Sequence, residues 1–126
     1  MPKIIFPELS YRITGICFKV HKELGRFCSE MQYADKLEKI LLQEKMLYVR
    51  ECDMRKIEMT AARGNRVDFL IEDSILLDVK AKKFITKEDY IQMLRYLKWG
   101  KKKLGVIVNF RHTYLKPKRV INNEFE

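Results

Sequence analysis

The chain has 126 residues, enough for one domain spanning 1–126. Its 47% hydrophobic and 34% charged content is that of a folded protein, not a disordered or fibrous one. No apolar run approaches the roughly 20 residues of a membrane span, and the opening MPKIIFPELS lacks the apolar core and cleavage site of a secretory signal, so a cytoplasmic protein with no membrane partner is expected. Twenty-six lysines and arginines against seventeen acids leave a net charge of +9, which favours polyanions such as nucleic acid over acidic proteins or neutral ligands.

Leu9, Ile13, Ile16, Val20 and Leu24 recur at helical spacing and predict an amphipathic helix over 8–24, ended by Gly25. Ser29 can cap a second helix reaching about residue 44, with Ala34, Leu37, Ile40 and Leu41 as its apolar stripe. Counting back along that stripe reaches Glu30, so an acid is expected on the buried face, where it needs a partner. The alternative is an edge position in water, favoured only by the helix dipole. Cys17, Cys28 and Cys52 are odd in number and match no zinc spacing, which points to buried thiols without disulfides. His21 and His112 fit no ligand pattern and read as structural or surface residues.

Two strands are expected over 47–52 and 55–60, then a turn over 62–65 and the stretch 66–82, RVDFLIEDSILLDVKAK. The last reads as two strands around a Glu72-Asp73-Ser74 turn, completing a four-strand meander. Alternation puts Val67, Phe69, Ile71, Leu77, Val79 and Ala81 on a buried face. Asp68 and Asp78 then share the opposite face with Lys80. Thr86 and Asp89 can cap a helix ending at Gly100, with Tyr90, Ile91, Met93, Leu94 and Leu97 as its apolar face. Gln92, Tyr96 and Trp99, with Arg95 beside them, form an adjacent stripe that suits either core packing or hydrogen bonding and stacking. A basic break at Lys101, Lys102 and Lys103 precedes a buried strand over 104–110 and a short last strand over 119–121. The order ααββββαβ(β) implies an α/β or α+β sandwich, a mixed sheet covered by helices.

Asp68 and Asp78 on adjacent strands, with Glu30 arriving on a helix end, offer hard oxygen ligands to Mg²⁺ or Mn²⁺. Lys80, two residues after Asp78, reaches the same face, where it can orient or help deprotonate a metal-bound water attacking phosphorus and favour the charge that develops. The competing reading is a cross-strand ion pair on an exposed sheet face, worth about 0–1 kcal/mol.

HKELG (His21 to Gly25), Glu30-Met31-Gln32-Tyr33, RVDFLIED, LLDVKA, IQMLRYLK and LGVIVNF, in that order, resemble the GxxExxY family of the PD-(D/E)XK nuclease superfamily over about 9–122. The resemblance implies a restriction-endonuclease-like core and Mg²⁺-dependent cleavage of nucleic acid, DNA above all, with Mn²⁺ as a substitute. It also implies metal binding by Glu30, Asp68 and Asp78, and catalysis by these with Lys80 and Gln92. Tyr33 matches the tyrosine of the family name and joins Arg66 and Arg95 as an expected nucleic-acid contact. For a module that binds nucleic acid or a partner without efficient catalysis, the other reading, Lys101, Lys102, Lys103, Lys116, Lys118 and Arg119 are the expected phosphate contacts. A homodimer is one arrangement that a domain this small allows. Three positions depart from the family pattern: Phe27 stands at its glycine, Asp78 at its commoner glutamate and Val67 at its loosely kept proline.

Overall fold

The structure, a computed structural model, describes residues 6–53 and 66–124. Helical spacing of apolar residues shapes its first half. In α1 (Pro7–Leu24), Ile13, Ile16, Cys17 and Val20 are buried along one side, and Gly25 ends the helix at φ 76°, a backbone that side chains with a Cβ disfavour. In α2 (Glu30–Gln43), Ser29 and Gln32 form a reciprocal capping box, and Tyr33, Ala34, Leu37, Ile40 and Leu41 are buried. The two helices pack side by side on one face of the sheet.

That sheet has five strands in the order β1 (Tyr48–Asp53), β2 (Arg66–Ile71), β3 (Ile75–Lys80), β4 (Leu104–Asn109) and β5 (Lys118–Ile121). Every neighbouring pair is antiparallel except β3 and β4, which run parallel and are joined through α3 (Lys87–Gly100). Phe69, Ile71, Leu77, Val79, Val106 and Val108 meet α1 and α2, whereas Leu76, Ile107 and Val120 meet Met93, Tyr96 and Leu97 of α3. Helices thus cover both faces, which is why β4 is buried throughout and apolar up to Asn109. The result is the expected α+β, restriction-endonuclease-like architecture: three helices around a mixed five-strand sheet.

Several expectations change. Among the described residues the order is ααβββαββ; residues 55–60 and 62–65, expected as a strand and a turn, lie outside them. β1 pairs directly with β2. Val67 joins the α3 cluster and not the face of Phe69 and Ile71. Tyr90 is exposed, and Tyr96 takes its place in the core. The β2–β3 turn is where it was expected, with Glu72 and Asp73 both at positive φ and the Ser74 amide bonded to the Ile71 carbonyl, the pattern of a type I′ hairpin. No disulfide links the three cysteines, and burial pushes the Cys17 thiol up to about 12. Among the described residues no helix is long and apolar enough to cross a membrane.

Candidate active site

β2 and β3 pair only over 69–71 and 75–77. Beyond that point Arg66 and Val67 stay with β1, while Asp78, Val79 and Lys80 stay with β4, so the two strands part at Asp68 and Asp78. The β1–β2 register also skips the Glu51–Asp68 position, where Glu51 adopts φ 54°. A non-glycine residue in that region is a local strain of the kind found at working sites. Asp68 therefore sits at a fork in the sheet. Its Oδ2 accepts the Val79 amide at 2.6 Å, a bond that the neighbouring strand would otherwise make.

Asp78 is 4% exposed, and its Oδ2 has no hydrogen-bond donor among the described residues. The Lys80 ammonium lies 3.1 Å from that oxygen as an ion partner, outside hydrogen-bond geometry. Burial, then hydrogen bonding and repulsion from Asp78, push the Asp68 carboxyl up to about 8, against the pull of the Val79 amide and Lys80. Buried Asp78 and half-buried Asp68 thus share a site with too little positive charge. Burial alone would lower the Lys80 ammonium, but Asp78, Asp89 and Glu30 outweigh it and hold it raised. These acids favour the charged form of Lys80. Tyr96 stands on the same side; burial, then Asp78 and Asp68, raise its phenol, which stays protonated.

Asp89 is part of this cluster, although in sequence it reads only as a cap. Its carboxylate accepts the Thr86 amide at 2.7 Å, pairs with Lys82 at 2.5 Å and lies 3.9 Å from Lys80. Burial would raise this carboxyl, but Lys82 and Thr86 outweigh it and hold it below the usual carboxylate range. Asn109, at the end of β4, is a second residue that sequence reasoning missed. It accepts the Lys82 amide at 3.1 Å and donates to the Lys82 carbonyl at 2.7 Å, fixing the chain as it leaves β3. A buried asparagine ending an apolar strand is the signal that could have found it. The histidines are structural: His21 donates to the His112 carbonyl at 2.9 Å, and His112 touches Asn109 at 3.2 Å.

The remaining expected residues divide. Glu30 is exposed, a correction to the buried face: as the first residue of α2 it lines a cleft of about 150 Å³ with Met31, Ala34, Arg50, Glu51 and Asp68. Among the described residues no three His, Cys, Asp or Glu side chains converge as a metal cluster, so the convergence is a carboxyl pair, with Glu30 lining the same cleft as Asp68. Gln92 is half-buried on α3, three residues after Asp89 and four before Tyr96, and so shares their stripe. Tyr33 is not a surface contact. It is 0% exposed, stacks on Phe110 at 4.3 Å, donates to the Gly25 carbonyl at 2.6 Å and accepts the Cys28 amide at 3.2 Å.

The expected phosphate contacts fall at two ends of the sheet. Lys101, Lys102 and Lys103 precede Leu104, which pairs with Ile75, so they lie about 17 Å along the strands from Lys80. There the Lys102 ammonium bonds Asp73 at 2.9 Å. Lys118 pairs with Ile107, which pairs with Asp78, placing it and the nearby Lys116 toward the fork. Arg119 reaches Ser10 of α1. Arg66 is exposed at the start of β2, and exposed Arg95 lies over the Trp99 ring at 5.9 Å.

A family model described as the PD-(D/E)XK nuclease superfamily matches residues 7–121. No curated protein and no solved structure matches the chain.

Proposed function

The chain belongs to the PD-(D/E)XK nuclease superfamily, and from that premise we propose that it is a nuclease hydrolysing phosphodiester bonds of DNA at the Asp68–Asp78 fork. Within the superfamily we place it with the GxxExxY family, on Glu30, Tyr33 and the RVDFLIED and LLDVKA motifs.

The residues present fit a divalent cation. Asp78 Oδ2 is buried without a donor, and Asp68 is pushed toward its neutral form by burial and then by Asp78, so positive charge is what the pair lacks. Mg²⁺ is commonly held by one or two carboxylates, with water and substrate phosphate completing its shell, and Mn²⁺ accepts the same donors. When bound, the cation would supply neutralisation of phosphate charge and acidification of the attacking water. The chain's own residues do the rest. Asp68 and Asp78 hold the cation, and the Val79 amide keeps Asp68 aimed. Lys80, kept charged and anchored between Asp78 and Asp89, faces the negative charge that grows on phosphorus. Glu30 lines the same cleft as Asp68, where a carboxylate can orient water, and Gln92 on the α3 stripe can hydrogen-bond water or phosphate.

The observation that carries this reading is the lysine beside two coupled carboxylates at a break in the sheet. It is tested by incubating the protein with single-stranded, duplex and branched DNA and with RNA, in Mg²⁺ and in Mn²⁺, beside Lys80→Ala. Metal-dependent cleavage of DNA that the variant loses is expected. No cleavage of any substrate, or equal cleavage by the variant, would refute it. The second reading, a binding module without efficient hydrolysis, draws on the lack of a three-ligand metal cluster among the described residues. It wins if Mn²⁺ leaves the thermal midpoint unchanged while DNA still binds.

A further inference from the structure

Phe27 is 76% exposed, yet the turn that carries it is held from both sides. Below it, buried Tyr33 bonds Gly25 and Cys28, the residues that bracket Arg26 and Phe27. Beside it, Arg26 Nε donates to the Arg111 carbonyl at 2.8 Å and Arg111 Nε donates to the Arg26 carbonyl at 3.0 Å. Both guanidinium carbons lie near the phenyl ring, 4.8 Å and 5.8 Å from its centroid. An exposed aromatic normally costs solvation and is free to move; this one is held in place and flanked by cations.

Its position ties it to the fork. Arg111 donates its amide to Asn109 at 3.3 Å, the same oxygen that receives the Lys82 amide, and Asn109 pairs with Lys80 across β3 and β4. Glu30, which lines the cleft with Asp68, follows Phe27 by three residues. Two further exposed aromatics, Phe84 at 74% and Tyr114 at 78%, sit on the segments that leave β3 and β4 at this same end of the sheet.

We propose that Phe27, flanked by Arg26 and Arg111, is a stacking platform for an unpaired base, so that the substrate reaching the fork is single-stranded nucleic acid. The inference rests on the reading that nucleic acid occupies the cleft. Aromatic rings take any base by its face, and the guanidiniums take the phosphates on either side. A duplex offers no such face except at its ends.

The test is fluorescence anisotropy without divalent cation, so that nothing is cut. The probes are labelled oligothymidine, the same oligomer with abasic sites, and a duplex of equal length. Phe27→Ala should weaken oligothymidine binding roughly tenfold, the loss of about one stacked base, and leave the duplex nearly unchanged. Phe27→Trp should retain binding, and wild type on the abasic oligomer should fall to the level of Phe27→Ala. Leu47→Ala, equally exposed at 76% but at the other end of the sheet, should change nothing. Equal losses on single strand and duplex, no loss at all, a Phe27→Trp variant as weak as Phe27→Ala, or a Phe27-dependent dimer by gel filtration would overturn the platform. Because the assay reads binding alone, the platform can stand where cleavage fails, and fall where cleavage succeeds.

Discussion

Asp68 carries most of the site's electrostatic tension. Held up to about 8 when folded, against roughly 3.9 in an unfolded chain, its carboxyl binds a proton more tightly in the native state. A raised acid makes native stability fall as pH climbs from about 4 to about 8, after which the loss is complete. Asp68→Asn keeps an acceptor for the Val79 amide and removes the repulsion. It should stabilise the metal-free protein by about 0.5–2 kcal/mol at pH 8, with the gain vanishing near pH 4, while abolishing cleavage. Thermal melts across pH check both ends, and Mg²⁺ should raise the midpoint of wild type only. Asp89 acts one step removed, by steadying Lys80 and Lys82. Asp89→Asn retains much of the cap, so unfolding should change little while cleavage falls about 10–100-fold and its pH profile shifts, as for supporting partners at other metal sites.

At the scale of elements, the site is held by joints that sequence patterns reveal unevenly. Both helix starts were legible: Ser29 and Thr86 announce themselves as caps, and the capping boxes are there. The apolar strand β4 and the turn at Glu72-Asp73 were legible for the same reason, being set by local chemistry. The fork was not, because alternation assumes unbroken strands, and at Asp68 the strand breaks on both sides. That break sends Val67 to the α3 cluster. Glu30 follows the helical count toward the sheet but emerges at the rim, since α2 begins where the core ends. Gly105 on β4 lies against Met93 of α3: a Cβ there would overlap the Met93 thioether and its Cγ. Gly105→Ala should therefore cost about 1–3 kcal/mol in urea unfolding, and should reduce cleavage as well, because α3 carries Asp89, Gln92 and Tyr96.

Across the whole molecule, the proposed function gives the net positive charge the role of drawing in nucleic acid and the fork the role of cutting it. With a net charge of +9, affinity for nucleic acid should fall linearly on a log–log plot against salt. Replacing Lys116 and Lys118, which lie toward the fork, should lower that slope by about 1 each, measured by anisotropy titrations at several salt concentrations. Replacing Lys101, Lys102 and Lys103, at the far end, should leave it nearly unchanged. The central claim is that the Asp68–Asp78 pair is a divalent-cation site serving Lys80. An anomalous difference map from a crystal soaked in Mn²⁺ tests it most directly. The account predicts a peak at coordination distance, about 2.1 Å, from a carboxylate oxygen of each aspartate. A map with no peak there, from crystals whose Mn²⁺ is bound elsewhere or not at all, would contradict it.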